Sequence, residues 1–187
     1  MTSRKPELNP FYPLYPLNEF YEQAGLPLPS VVRIEEREVP EPYKSLLVHN
    51  RDMTPTIADA YHCAIQLRVL QHSLRDNVFS RQIILVLEGG ERAVVFGAIK
   101  IYLERFPPEA RRLVLEMKQP LGTILQTQGM AHASRPEAYI QVTADATINR
   151  ALGLTGSALL YGRRNVLWNS SQLPLAQVVE ILPSAES

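Results

Sequence analysis

The sequence is poor in cysteine, in net charge and in long apolar runs. Its single cysteine, Cys63, excludes an intramolecular disulfide and every zinc or iron–sulfur site that needs several cysteines. Its 19 lysine and arginine residues balance 19 aspartate and glutamate residues, so no cationic excess is available to neutralise a nucleic-acid backbone. The longest apolar run, residues 83–87, is far too short to span a membrane. We therefore expect neither a nucleic-acid partner nor a membrane span.

The standard catalytic and cofactor motifs are also missing. The sequence contains no nucleophile elbow, no phosphate-binding loop and no dinucleotide-binding glycine pattern. Its four histidines show no pairing at helical spacing, so we expect neither a metal ion nor a cofactor. The first residues lead into proline and tyrosine rather than into an apolar signal segment, which predicts a cytoplasmic protein.

Proline is abundant, and its distribution divides the chain. Eight of the 15 prolines lie within the first 42 residues, where they prevent long regular elements. Within that stretch Leu17, Phe20 and Tyr21 recur at helical spacing, and Gly25 can end a helix. The sequence therefore predicts a proline-rich arm, residues 1–42, with one short helix that packs on the main domain. The main domain, residues 43–187, is long enough to bury a single core.

The main domain shows the pattern of strands joined as hairpins. Strands are expected at residues 65–70, 81–87, 94–103, 138–143, 157–168 and 175–182, with short helices between them. Gly89 and Gly90 supply the positive φ angles of a tight turn between the second and third of these strands. Because hairpin joints make antiparallel pairs, we predict a single α+β domain: an antiparallel sheet of about six strands covered by short helices.

Charged residues interrupt three of the apolar strands. Arg81 begins one, Glu180 lies inside another, and Arg163 and Arg164 lie in the middle of a third. Half of the positions on a strand can face solvent, so an exposed position is one explanation for each of them. The alternative is a pocket in which an arginine binds a carboxylate bidentately and a carboxyl group meets a hydroxyl. Such a pocket would suit a small aromatic or cyclic acid.

Six short blocks of the sequence resemble the chorismate pyruvate-lyase family. The blocks are Asp52-Met53-Thr54, Arg81-Gln82-Ile83-Ile84-Leu85, Gly97, Pro120-Leu121-Gly122, Leu160-Tyr161-Gly162-Arg163-Arg164 and Glu180-Ile181-Leu182-Pro183. They occur in the order of the family with similar spacings, and they extend over residues 53–183. The proline-rich arm is unlike the compact form of the family and is closer to its longer, divergent branch.

The resemblance implies a fold, a reaction and a site. The fold is a six-stranded antiparallel sheet whose helices cover a buried ligand, and the reaction cleaves chorismate to 4-hydroxybenzoate and pyruvate without a cofactor, as in ubiquinone or plastoquinone biosynthesis. Arg81 would bind the ring carboxylate, Glu180 would meet the hydroxyl end, and both would be the catalytic residues. The backbone of Met53 and of Leu121 would contact the ligand. Composition alone suggests Arg163 or Arg164 for the second carboxylate of chorismate.

The same fold family implies a second function of another class. It includes effector-binding domains of bacterial transcription regulators, which bind small ligands and catalyse nothing. The arm is too rich in proline to hold the helix-turn-helix module that usually precedes such a domain. A non-catalytic protein that binds a small aromatic acid therefore stands beside the lyase as an alternative. For either function we expect a monomer whose partner is a small molecule.

Overall fold

The computed structural model describes residues 12–184, which form one antiparallel sheet and six α-helices. The helices are α1 (Leu17–Gln23), α2 (Tyr43–Leu47), α3 (Met53–Tyr61), α4 (Pro108–Leu115), α5 (Leu121–Thr127) and α6 (Ala146–Leu152). The strands are β1 (Val31–Ile34), β2 (Ile65–Arg75), β3 (Val78–Leu87), β4 (Ala93–Tyr102), β5 (His132–Thr143), β6 (Leu159–Asn169) and β7 (Pro174–Leu182). Their order across the sheet is β1-β5-β6-β7-β4-β3-β2.

The predicted α+β class and antiparallel sheet are confirmed. Every neighbouring pair of strands runs antiparallel, and both predicted hairpins, β3–β4 and β6–β7, are present. Gly89, in the turn of the first hairpin, has φ +77°, as a tight turn requires. Gly90 does not have a positive φ, so that part of the prediction is wrong. The carboxyl-terminal hairpin is hydrogen-bonded to the first hairpin, because β7 pairs with β4 as well as with β6. This pairing joins the two hairpins in one continuous sheet.

The sheet has seven strands among the described residues, one more than the sequence predicts. The additional strand, β1, lies at the sheet edge and pairs with β5 through Val31 opposite Val142. Its four residues lie between Pro29 and Pro40, and a strand that short is compatible with flanking prolines at an edge. The stretch that was predicted to hold only a short helix therefore contributes both that helix, α1, and an edge strand.

The helices cover both faces of the sheet. On one face α1 and α6 enclose a core that includes Phe20, Phe96 and Ile148. On the other face α2, α3, α4 and α5 enclose two adjoining apolar clusters. None of the helices within residues 12–184 combines the length and the apolar character that crossing a membrane requires.

The strand register places two charged residues on the same face of the sheet. Arg81 on β3 is opposite Ile99 on β4, and Glu180 on β7 is opposite Gly97 on β4. Gly97 and Ile99 are two residues apart on β4, so their partners Glu180 and Arg81 lie on the same face of the sheet. Two strand spacings, about 10 Å in total, separate β3 from β7. The floor beneath α3 and α5 therefore carries a cation and an anion at a distance that suits a small ring.

Gly97 lies on β4 opposite Glu180 of β7, where the β7 backbone leaves no room for a side chain. A Cβ atom at position 97 would overlap the carbonyl oxygen of Val179, which is held in the β-sheet and cannot rotate away. We expect Gly97→Ala to lower the free energy of unfolding by about 3 kcal/mol, the upper end of the usual overpacking penalty. Urea denaturation would measure this loss.

Gly90→Ala is the matched control for that substitution. A Cβ atom at position 90 would meet only the carbonyl oxygen of Leu87 at 3.7 Å and the amide nitrogen of Arg92 at 3.8 Å, which are ordinary contacts. We expect a change of less than about 0.5 kcal/mol. Equal effects of the two substitutions would contradict the close approach of β4 and β7.

Candidate ligand-binding cavity

A cavity lies between the sheet and the amino-terminal ends of α3 and α5. Its empty space, including the part that opens to solvent, is about 570 Å³. The strands supply Leu67, Arg81, Ile83, Leu85, Val95, Ile99, Asn165, Leu167, Val178 and Glu180, and the helix ends supply Asp52, Met53, Thr54, Pro120, Leu121 and Gly122. The lining is mainly apolar with a few polar groups, which is typical of a small-molecule site.

Arg81 is buried in this cavity with most of its hydrogen-bonding groups unused. Its side chain is 1% exposed, and its Nη2 donates to the carbonyl oxygen of Gln119 at 3.2 Å. Its Nε and Nη1 have no partner, and no carboxylate pairs with it within residues 12–184. Burial lowers the pKa of Arg81 from its ordinary value to about 10, so the guanidinium keeps its proton near neutral pH. The cavity therefore contains a buried, uncompensated positive charge.

Glu180 lines the same cavity, but it already has a cationic partner. Its Oε2 accepts a hydrogen bond from Nε of Arg163 at 2.7 Å. The Arg163 side chain is fully buried, and its other nitrogens donate to the carbonyl oxygens of Leu47, His49 and Arg51. Arg163 thus links the cavity floor to the segment between α2 and α3.

The structure brings together four of the six residues that the sequence analysis assigned to the site. Arg81, Met53, Leu121 and Glu180 all line the cavity. Neither Arg163 nor Arg164, the two residues suggested for a second carboxylate, is among its lining residues. Arg163 pairs with Glu180 and donates to three backbone carbonyl oxygens. Arg164 pairs with Glu137 at 3.1 Å and with the side-chain oxygen of Gln177 at 3.0 Å.

The sequence did not reveal a further hydrogen-bonded pair at the cavity, Asp52 with His132. The Oδ2 atom of Asp52 lies 2.7 Å from Nε2 of His132, and the Nδ1 atom of His132 lies 3.1 Å from the carbonyl oxygen of Met130. The hydrogen bond to Asp52 raises the pKa of His132. Eighty positions separate the two residues, and the polar start of β5, where His132 lies, carries no strand signal.

The described part of the chain contains no cluster of side chains that could form a metal centre. Nowhere in residues 12–184 do three or more histidine, cysteine, aspartate or glutamate side chains lie close enough together to hold a metal ion.

Comparisons with known proteins identify the architecture. No family model matches the chain, and no curated protein is significantly similar to it in sequence. Among solved structures, the effector domain of PhnF from Mycobacterium smegmatis has a TM-score of 0.54 and 14% identity, over 71% of this chain and 88% of that one. The chain has the fold of a regulator effector domain.

Two further structures agree with that result. A second structure of PhnF from the same organism has a TM-score of 0.53 and 13% identity, over 90% of this chain and 93% of that one. A possible transcriptional regulator from Bacillus subtilis, YydK, has a TM-score of 0.52 and 9% identity, over 66% of this chain and 60% of that one. The fold is shared with chorismate lyase, so the fold implied by the resemblance in sequence is confirmed.

Proposed function

We propose that this chain binds a small aromatic or cyclic carboxylic acid through Arg81 and that it does not convert this ligand chemically. The observation that carries the proposal is the Arg81 guanidinium, which is 1% exposed and leaves Nε and Nη1 without partners. A buried charge of this kind is costly, and a charged ligand that enters the site compensates for it. A site built in this way is typical of ligand recognition rather than of packing.

The chemistry of the cavity specifies an anion with a flat or compact apolar body. Of the five N–H groups of Arg81, only one is used, so the guanidinium retains enough donors to hold a carboxylate by two parallel hydrogen bonds. Ile83, Leu85, Ile99 and Val178 surround it with apolar surface, which favours a ring or another hydrocarbon body. The peptide carbonyl of Gln119 holds Nη2 by one hydrogen bond and leaves the Nε and Nη1 groups for the ligand.

The comparisons favour binding over catalysis. The structural neighbours include the effector domain of PhnF. The fold family to which the resemblance in sequence points includes effector domains that bind small ligands and catalyse nothing. Chorismate cleavage is the second candidate. It is supported by the shared cavity of Arg81, Met53, Leu121 and Glu180, the four residues to which the lyase resemblance gives ligand contacts.

One pair of measurements separates the two functions. We expect calorimetric titration to detect binding of benzoate and of 4-hydroxybenzoate but not of benzamide, which has the same shape without the negative charge. We expect no 4-hydroxybenzoate or pyruvate to form when the protein is incubated with chorismate. Turnover of chorismate that requires Arg81 would establish the lyase function instead. Equal binding of benzoate and benzamide would contradict both functions.

A further inference from the structure

Asp52 occupies the N-cap position of α3, but its side chain does not cap the helix. Aspartate at this position usually accepts a hydrogen bond from a backbone N–H of the first turn. Here the carboxylate makes no such bond. Its Oδ2 is instead bound by Nε2 of His132 at 2.7 Å, across the gap between α3 and the start of β5. The side chain is thus held away from its own helix.

His132 fixes the orientation of this carboxylate from outside the cavity. Both nitrogens of the His132 ring face acceptor oxygens, those of Asp52 and of the Met130 peptide, so the doubly protonated ring satisfies both contacts. His132 lines a shallow polar cleft on the outer side, and Asp52 lines both that cleft and the cavity. Asp52 therefore lies between the cavity and the polar cleft and forms part of the wall of each.

The second oxygen of Asp52 is left without a donor. The Oδ1 atom is buried and accepts no hydrogen bond from the described part of the chain. A buried carboxylate oxygen that lacks a donor is destabilising, and a donor supplied by a ligand removes that penalty. Oδ1 and the unused nitrogens of Arg81 are thus an unsatisfied acceptor and unsatisfied donors at the same cavity.

The charges around the cavity also limit the ligand to one carboxylate. Arg81 is the only cationic side chain among the described lining residues. The two acidic lining residues, Asp52 and Glu180, are already paired with His132 and Arg163. A second carboxylate on the ligand would have no cation to bind and would face these two acids, which is repulsive.

We propose that Asp52 selects the ligand: the cavity takes a monocarboxylic acid that also bears a hydroxyl or amino donor, which Oδ1 of Asp52 accepts. This inference rests on the proposed binding function and makes it more specific, since it assigns a second recognition group and excludes dicarboxylic acids. His132 is a positioning residue, because it contacts Asp52 and lies on the outer side of the wall.

The test is a comparison of affinities for matched ligands. Benzoate, meta- and para-hydroxybenzoate, meta- and para-aminobenzoate and isophthalate would be titrated calorimetrically into the wild-type protein and into Asp52→Ala. We expect the best hydroxy- or amino-substituted acid to bind the wild type about tenfold or more tightly than benzoate, because a hydrogen bond to a charged group contributes at least that much. In Asp52→Ala we expect that preference to fall to about twofold or less, while benzoate affinity is kept or increased.

Three further variants separate the causes. Asp59→Ala removes an exposed carboxylate from the same helix, so it controls for net charge and should leave the preference unchanged. His132→Gln should weaken the preference without affecting benzoate. Glu180→Gln shows whether the preference belongs to the other acidic residue. If Asp52→Ala does not fold, Asp52→Asn replaces it, because its amide can keep an oxygen toward His132 while its NH₂ group replaces the acceptor.

The outcomes distinguish this inference from the proposed function. If benzoate binding requires Arg81 but the preference persists in Asp52→Ala, or if no substituted acid exceeds benzoate in the wild type, the inference about Asp52 is wrong and the binding function stands. Isophthalate that binds as tightly as benzoate would overturn the restriction to one carboxylate. If no acid binds, or binding is independent of Arg81, the proposed function itself is wrong.

Discussion

Replacement of Arg81 by alanine is expected to lower the affinity for benzoate by about thirtyfold to several thousandfold, which corresponds to roughly 2–5 kcal/mol. The reason is that the carboxylate would then be buried among Ile83, Ile99 and Val178 without the positive charge that compensates it. Arg81→Lys should recover only part of the loss, because an ammonium cannot form the planar two-bond contact. Calorimetric titration of both variants measures these differences.

The same substitution should leave the free protein at least as stable as the wild type. The guanidinium of Arg81 has lost most of its hydration and gains only the contact to the Gln119 carbonyl, so its removal takes away an unfavourable burial. Arg68→Ala is the matched control, since Arg68 lies on the neighbouring strand β2 and pairs with Glu91 at the surface. Unchanged benzoate affinity in Arg81→Ala, or an equal loss in Arg68→Ala, would remove Arg81 from the site.

Replacement of Arg163 by methionine is expected to be the most destabilising substitution in the sheet, at about 3–5 kcal/mol. The change leaves Glu180 without its cation and leaves the carbonyl oxygens of Leu47, His49 and Arg51 without this donor. Urea denaturation measures the loss, with Arg135→Met as the control, because Arg135 is exposed on the adjacent strand β5. Arg135→Met should change the stability by less than about 0.5 kcal/mol.

A double variant separates the two parts of the Arg163 effect. Glu180→Leu in the Arg163→Met background removes the uncompensated carboxylate and should restore part of the stability. The remaining loss measures the hydrogen bonds to the segment between α2 and α3. If the single variant is as stable as the wild type, the buried network of Arg163 does not hold this segment.

Local sequence signals were sufficient for most of the elements. Asp145 accepts from the Ile148 amide at the start of α6, and Gly153 ends that helix with φ +68°, so both ends of this short helix are set by residue types that favour those positions. Residue pairs with turn chemistry, such as Gly89 and Gly90, likewise located the β3–β4 hairpin. These features depend on neighbours within a few residues, and the sequence displays such neighbours directly.

Features that depend on distant partners could not be predicted. β1 has only four residues, and nothing near Val31 indicates that it pairs with Val142. The sequence could place Arg81 and Arg163 in strands. Only the folded structure shows that Arg81 has no carboxylate partner in the cavity, whereas Arg163 donates to three carbonyl oxygens and to Glu180. The pairing of Asp52 with His132 depends in the same way on how α3 is placed against β5.

The position of β7 between β4 and β6 has a consequence for the synthesis of the protein. Each neighbour of β7 belongs to a part of the sheet that is translated earlier, and β7 is the last strand in chain order among residues 12–184. At about 5–20 residues per second, on the order of ten seconds pass between the translation of Arg81 and that of Glu180. The two sides of the cavity floor are thus brought together only when the last strand has left the ribosome. A nascent chain that lacks β7 would offer the proposed ligand no complete site, so that ligand would stabilise only chains in which β7 is in place.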